Sequence, residues 1–483
     1  MIIVFVLYMV LTLGIAYVSS RRANTASSFV LGDKKISGVS LALSERATGE
    51  SAWLLLGLTG EAFLLGLQAL WVALGCVIGI AFIWFVMGNR IREATEKSGA
   101  LTIAGLLAKR FPGAERIIGT LSTLIIVFFF LFYIAAQFSG GGIILYDIFG
   151  IEPMWGIIIG AGIITFYCMM GGFMSVMATD VFQAVLMIFT LIVLPVVILI
   201  VAASNNVSIL PDVEKAGETF YSLTASKTGI PAILLILSGM SWAFGYTGQP
   251  QLLTRMMAIK NAKDVKAAKW VAISWTIFAY IGAMIIGLAG YAFLQDGYLG
   301  ADAAKLTADA EKILPVMVNT FVTPILAGFL LSGAVSAMMS TASAEIILSS
   351  SSIAETYDNH LSKKRMDQKK LLWVNKALTL AVGALAFVLA ITAGDTVYGL
   401  VSYAWSGIGS SFGPALLLLL FWKKFSRAGV IASLLSGTIG TIIWKNFILP
   451  PTGISERLGS FVFAFLMAVL FSLLFPEKEK QVS

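Results

Sequence analysis

Ala47-Thr48-Gly49-Glu50-Ser51 and Gly245-Tyr246-Thr247-Gly248-Gln249-Pro250 each interrupt a hydrophobic stretch otherwise long enough to cross a bilayer. Glycine weakens a helix, and proline removes an amide donor from it. The hydrocarbon core offers no water to the backbone groups a break sets free, so a break at that depth has to line a protein-enclosed cavity. Two such breaks, at matching positions of two halves of a chain, point to a secondary transporter and to its binding site.

Composition agrees. Of 483 residues, 58% are hydrophobic and 12% are charged, too little charge for the surface of a soluble chain of this length. Apolar runs of about 20 residues, each a candidate spanning helix, recur throughout. We count 13, at 2–19, 38–63, 66–89, 117–144, 151–171, 182–202, 230–253, 270–293, 314–348, 372–392, 396–421, 428–447 and 458–475. The longest polar stretches, such as 203–229, are too short for a soluble domain, so the reading is all-α: one polytopic membrane domain over 1–483.

The net charge of +7 is explained by placement rather than by nucleic acid. Odd-numbered spans end in basic loops: Arg21, Arg22, Lys34 and Lys35; Arg90, Arg92, Lys97, Lys109, Arg110 and Arg116; Lys260, Lys263, Lys266 and Lys269; Lys363, Lys364, Arg365, Lys369 and Lys370; Lys423, Lys424 and Arg427. The opposite loops carry Asp147, Glu152, Asp212, Glu214, Asp302, Asp309 and Asp395. The positive-inside rule makes the basic side cytoplasmic. This predicts a plasma-membrane protein with its N-terminus outside and its C-terminus inside. The first span, with basic residues only after it, reads as a retained signal-anchor. Cys76 and Cys168 fall within spans and read as apolar filler. His360 reads as a solvated loop residue. With no metal cluster, nucleophile–base pair or phosphate-binding glycine loop in view, the reading is not an enzyme and needs no cofactor.

Spans two to six (about 38–202) and seven to eleven (about 230–421) form two sets of five, with two extra spans at about 428–475. An odd number of spans forces opposite orientation, so the sets are expected to be inverted repeats, each opening on its broken span.

Several residues near the breaks can carry chemistry. Thr48 and Ser51 can bond locally to backbone, and freed carbonyls near Ala47 and Glu50 can ligate a cation. Glu45, Arg46 and Glu50 are ionisable groups within a span, costly unless paired or functional. Arg46 and Glu50, four apart, read either as a self-neutralising pair in a watery vestibule or as participants in substrate or proton handling. Ser340 and Thr341, with the carbonyl of Ala337 one turn earlier, offer oxygens of the kind hard cations take. Hydroxyls that merely bond back to their own helix are the rival explanation. Trp242 and Tyr246, four apart before Pro250, suit either a wall for a small zwitterion or an interfacial aromatic belt. Tyr133 and Gln137 form a second such pair. Asp180 either caps the sixth span at its cytoplasmic edge or helps a cation leave. Glu345 is a further acid inside a span.

Ser51-Ala52-Trp53-Leu54-Leu55-Leu56-Gly57-Leu58, Gly245 to Pro250 with Arg255 following, Met339-Ser340-Thr341, and Gly399-Leu400-Val401-Ser402-Tyr403-Ala404-Trp405 together resemble the sodium/solute symporter family, most of all its sodium/proline branch. The resemblance implies a LeuT-type core of two inverted five-helix repeats and sodium-coupled uptake. It implies a sodium site at Ala47, Glu50 (backbone), Ala337, Ser340 and Thr341, and a substrate pocket at Tyr133, Trp242, Tyr246 and Pro250, to which we add Ser51. Asp180 matches an aspartate linked to sodium exit, and Glu345 and Arg46 join it as coupling candidates. The proline branch has an aspartate at the position of Gly49 and a methionine at that of Glu50.

The expected function is therefore a sodium-coupled symporter that imports a small organic solute, an amino acid such as proline, by alternating access. The alternatives are proton coupling through Glu50 or Glu345 on the same fold, a different amino acid or small organic acid, and a transporter-like sensor.

Overall fold

The computed structural model describes residues 1–21, 25–32, 36–210, 213–362, 365–392 and 396–477. Arg22, Lys34, Lys35, Asp212, Lys363, Lys364 and Asp395 of the charge pattern, the side chains of Asp147 and His360, and residues 478–483 lie outside them.

The described chain is almost entirely helical. The helices that matter below are α1 (Ile2–Ser20), α2 (Gly38–Ala52), α3 (Leu70–Phe82), α4 (Glu115–Phe149), α5 (Pro153–Ser204), α6 (Gly229–Met240), α7 (Trp242–Tyr246), α8 (Pro250–Met257), α9 (Ala262–Gln295), α10 (Ile313–Phe321), α11 (Pro324–Thr356), α12 (Gln368–Thr392), α13 (Val397–Phe421), α14 (Arg427–Ile443) and α15 (Glu456–Leu474). Among the described residues, eleven helical segments are long and apolar enough to cross a membrane. Two of them, Gly38–Ser98 with 61 residues and Pro153–Ser204 with 52, far exceed the roughly 20 residues one crossing needs.

Both long segments double back. In the first, the Trp84 indole donates to Glu45 at 2.9 Å, so residues 45 and 84 lie at one level with the reversal between them. Gly66, at φ +61° and packed against the Phe220 carbonyl, supplies the turn. In the second, Tyr167 donates to the Met339 carbonyl and Cys168 to that of Ser343, so this stretch runs along α11 in the same direction. Further on, Ser340 meets Asp180 and Thr190 meets the Leu330 carbonyl, so here the two helices run in opposite directions. Gly172, at φ 52° and ψ −140°, is the pivot, a conformation that costs glycine little. Two crossings in each long segment bring the eleven segments to the thirteen spans expected.

One expectation on span limits is corrected. The apolar run 314–348 is not one helix. Val322 and Thr323 are extended, and Pro324 starts α11 at a first-turn position where its missing donor costs nothing. The run 230–253 is split at Thr247–Gln249, within the break expected at Gly245–Pro250.

Lipid tails are as apolar as leucine, so close backbone approach holds such helices together. α11 lies at the centre, its middle and later turns almost wholly buried. A Cβ on Gly333 would meet the Thr190 hydroxyl at 2.1 Å, and one on Gly282 the Leu191 carbonyl at 1.9 Å. Those two contacts clamp α11 and α9 onto the second half of α5. Cys76 and Cys168 are buried free thiols.

Candidate functional site: two broken helices around a hydroxyl and carboxylate cluster

The first break falls on Ser51, with φ 53° and ψ −173° inside otherwise helical backbone. A residue other than glycine in this region is uncommon and has to be held by its surroundings. Three contacts hold it. The Ala52 amide donates to Gln137 Oε1 at 2.8 Å, the Trp53 amide to Ser51 Oγ at 3.0 Å, and the Tyr133 hydroxyl to Ser51 Oγ at 3.3 Å. Tyr133 and Gln137 thus work as a unit from α4, satisfying the polar groups that the break exposes. Of the expected sodium-site carbonyls, that of Glu50 accepts from the Trp53 amide.

The second break separates α7 from α8. Gln249 is extended at ψ 105°, and its side-chain amide donates to the Trp405 carbonyl on α13 at 3.1 Å. Pro250 opens α8, where its carbonyl accepts the Thr254 hydroxyl at 2.6 Å.

An aromatic cluster joins the breaks. Trp53, just past the first, stands 4.2 Å from Trp242, ring centre to ring centre, and 6.3 Å from Tyr280. Trp405 on α13 lies 5.8 Å from Trp242, 4.7 Å from Tyr246 and 6.5 Å from Tyr133. Tyr246 and Tyr280 share a hydroxyl–hydroxyl bond of 3.1 Å. The indole N–H groups of Trp53 and Trp242 are buried without a partner among the described residues. The Arg457 guanidinium lies 4.5 Å over the Trp242 ring, and the two unspent donors beside it can serve an acceptor such as a carboxylate. Burial rules out an interfacial belt for Trp242 and Tyr246, both 1% exposed.

Beside the first break, α2 and α11 meet through oxygen. Thr341 donates to the Thr48 carbonyl at 2.8 Å, and the Thr48 and Ser340 hydroxyls are 3.4 Å apart. Ser340 donates to Asp180 Oδ1 at 2.7 Å and Ser44 to Oδ2 at 2.5 Å. Arg255 from α8 completes the cluster, reaching Asp180 at 3.0 Å, Thr48 Oγ1 at 2.9 Å, Ser44 Oγ at 3.2 Å and the Gln251 carbonyl at 2.8 Å. Ala47 and Ala337 are fully buried in the adjoining turns. Ser340 and Thr341 therefore do not merely bond to their own helix. Asp180 is not an edge cap either: the chain re-enters the bundle at Gly172, so Asp180 lies about two turns inside it, with no exposure.

Arg46 is paired as its spacing from Glu50 suggests, at 2.6 Å from Glu50 Oε1, and its other donors go to both oxygens of Glu45 and to Thr276 on α9. No vestibule opens around it: Glu45, Arg46 and Glu50 are all at 0% exposure. Glu50 Oε2 and both oxygens of Glu345 have no hydrogen-bond partner among the described residues.

Residues 29–437 match the profile of the sodium:solute symporter family. The chain belongs to that family. Like its other members it is a multi-pass membrane protein and a sodium-coupled symporter, not an enzyme. It is 32% identical to the high-affinity proline transporter of Bacillus subtilis, covering 94% of this chain and 93% of the relative. It is 33% identical to the sodium/proline symporter of Escherichia coli, covering 98% and 93%. Among solved structures, a Na⁺-coupled sialic acid symporter in a substrate-bound outward-open state superposes with a TM-score of 0.76 over 97% of both chains, at 18% identity. The fold is therefore the LeuT-type core.

Sequence reasoning passed over Trp405, Tyr280, Gln137 and Arg255 as site residues. Trp405 and Arg255 stood inside motifs already singled out, and Gln137 beside Tyr133 was the available signal for a group that closes the break. Nothing local marks Tyr280, which reaches the site only because α9 packs on α2.

Proposed function

We propose that this symporter takes up proline, or an amino acid close to it, by alternating access across the plasma membrane, with its N-terminus outside and its C-terminus inside. Two inverted repeats, about 38–202 and 230–421, each supply one broken helix to the site. The sodium site is built from the backbone of Ala47 and Glu50 on α2, with Ala337, Ser340 and Thr341 on α11, and Asp180 lies on its exit path. Solute packs against Trp242 and Tyr246, with Tyr133, Ser51 and Pro250 around it. The observation that carries this reading is the meeting at the first break of a hydroxyl cluster and an aromatic enclosure: Thr341 bonds α2 at Thr48, and Tyr133 bonds it at Ser51. Sodium and solute thus act on two sides of one interrupted turn, and binding of either stiffens the site for the other. The proline-transporting relatives support the choice of solute.

Sodium entry down its gradient is helped by the membrane potential, about 2.3 kcal/mol per charge per 100 mV. Each cargo ion at Ser340 and Thr341 replaces the contacts that α11 now makes with Thr48. The direct test is uptake of labelled proline into proteoliposomes with an inward sodium gradient, against potassium on both sides. Uptake that needs sodium is expected. Absence of proline uptake alongside sodium-driven uptake of another amino acid would overturn the solute and leave the ion. Thr341→Ala removes one oxygen ligand and the tie to Thr48. It is expected to raise the half-saturating sodium concentration by about 5–10-fold, the equivalent of one hydrogen bond of about 1–1.5 kcal/mol. Unchanged sodium dependence in that variant would remove Thr341 from the site.

A further inference from the structure

Four carboxyl groups surround the two breaks with no exposure: Glu45, Glu50, Asp180 and Glu345. Two guanidinium groups, those of Arg46 and Arg255, answer them. The region is therefore short of two positive charges, and a bilayer interior does not tolerate isolated ionised side chains. One sodium ion at the cluster described above supplies one. The hydrogen bonding of the four carboxyl groups places the missing one. Both oxygens of Glu45 are bonded, to Arg46 and Trp84. Both oxygens of Asp180 are bonded, and one oxygen of Glu50 is. Glu345 has neither oxygen bonded.

The titratable and polar groups on the elements packed against α11 do not neutralise it. From α8 comes Arg255, whose donors go to Asp180, Ser44, Thr48 and the Gln251 carbonyl. From α4 comes Tyr133, which donates to Ser51. From α5 come Asp180, Tyr167 and Cys168, the last two donating to backbone carbonyls of α11. From α1 comes Tyr8, which donates to the Met339 sulfur. α2 presents Ser44 and Thr48, and α12 presents Asn375 and Thr379. Further along α11, Glu355 takes the Thr102 hydroxyl at 2.7 Å.

A second feature leads away from this carboxyl. Ser349 and Ser352 follow Glu345 at four and seven residues, the spacing of one helix face. Their hydroxyls are buried and lack partners, as are those of the neighbouring Ser351 and, on α4, Ser122. The row ends at Thr356 and Thr123, bonded to each other at 2.7 Å, where α11 runs out toward the basic loop that follows it. The hydroxyls of Ser349 and Ser352 are bonded neither to one another nor to Glu345, so a proton moving along this face passes between them by way of water or by rotation of the side chains.

We propose that Glu345 is a proton site of the transport cycle, loaded and emptied through Ser349 and Ser352, so that a proton accompanies sodium and solute. The proton adds to a carboxylate oxygen of Glu345 and leaves from the same oxygen, with no other bond made or broken. The inference takes one of its two charges from the sodium site proposed above. Its test does not depend on that site, and sodium-driven uptake measured on the same preparation reports on it separately.

The experiment is infrared difference spectroscopy of the full protein in liposomes, perfused with buffers of stepped pH. The expected result is a carboxylic-acid C=O band that fades reversibly as pH rises. The band disappears in Glu345→Gln and survives in Glu50→Gln. In Ser349→Ala the band keeps its position but responds more slowly to a pH step. A band indifferent to pH would mean a fixed structural proton. A band lost in Glu50→Gln and kept in Glu345→Gln would assign the proton to the other acid. Either outcome overturns the proposal. Glutamine preserves side-chain volume, and the Glu50→Gln sample controls for misfolding.

Discussion

Asp180→Ala is expected to abolish sodium-driven uptake and to weaken the fold at the same time, and the two effects can be separated. The carboxylate accepts from Ser44, Ser340 and Arg255, all within 3.0 Å. Removing it leaves the Arg255 guanidinium, 2% exposed, without its counter-charge. Breaking a buried pair on one side costs about 3–5 kcal/mol, most of it the penalty on the charge left behind. Removing Arg255 as well, in Asp180→Asn with Arg255→Gln, takes away both charges and is expected to return most of that stability. Transport follows another rule. Hydrogen bonds to a charged group contribute about 1.5–3 kcal/mol each, and Asp180 orients the Ser340 hydroxyl of the proposed sodium site. The double variant is therefore expected to fold yet need about 10–100-fold more sodium for half-maximal uptake. Heating followed by size-exclusion chromatography reads the first effect, and uptake against sodium concentration reads the second. A double variant with the original sodium dependence would show that Asp180 serves only the fold.

The two breaks were legible in the sequence because a membrane makes them costly: glycine, serine and proline inside a 20-residue apolar run have few structural excuses. The span count was legible for the same reason. Limits of helices were less so. Hydrophobicity is continuous across 314–348, yet Pro324 starts a new helix there. It is equally continuous through Gly172, where one backbone angle reverses the chain and moves Asp180 from an edge to the middle of the bundle.

Side-chain partners across helices were mostly beyond reach. Spacing shows that Arg46 and Glu50 share a face, and they pair. It does not show that Glu45, the residue before Arg46, closes on the same guanidinium from the other side, or that Thr276 reaches it from α9. Nor does a motif tell that Trp405 will touch three of the expected pocket residues. Those contacts depend on which faces of α4, α7 and α13 meet, a tertiary fact that small residues set.

Gly245 is one of those small residues, and replacing it is expected to stall the cycle. A Cβ at 245 would lie 1.9 Å from Trp405 Nε1, and one on Gly409 would lie 2.6 Å from the Gly245 Cα. α7 and α13 are thus in backbone contact at the second break. Gly245→Ala forces the Trp405 indole aside, and that ring also packs against Trp242, Tyr246 and Tyr133. Overpacking costs about 1–3 kcal/mol, and the alternating-access cycle proposed above predicts that this cost falls on the state in which the two helices touch. The closed state would lose population by about 5–150-fold. Uptake is expected to fall accordingly while the protein stays monodisperse, because the open state bears no clash. The obstacle is a side chain, so Trp405→Leu placed on Gly245→Ala should recover part of the rate. Gly248→Ala offers the contrast: its Cβ would meet the Gly413 backbone nitrogen at 2.4 Å, an atom that cannot swing away. No replacement at 405 should rescue it. Full uptake by Gly245→Ala would mean that α7 and α13 need not touch during transport, and that the aromatic enclosure closes by some other motion.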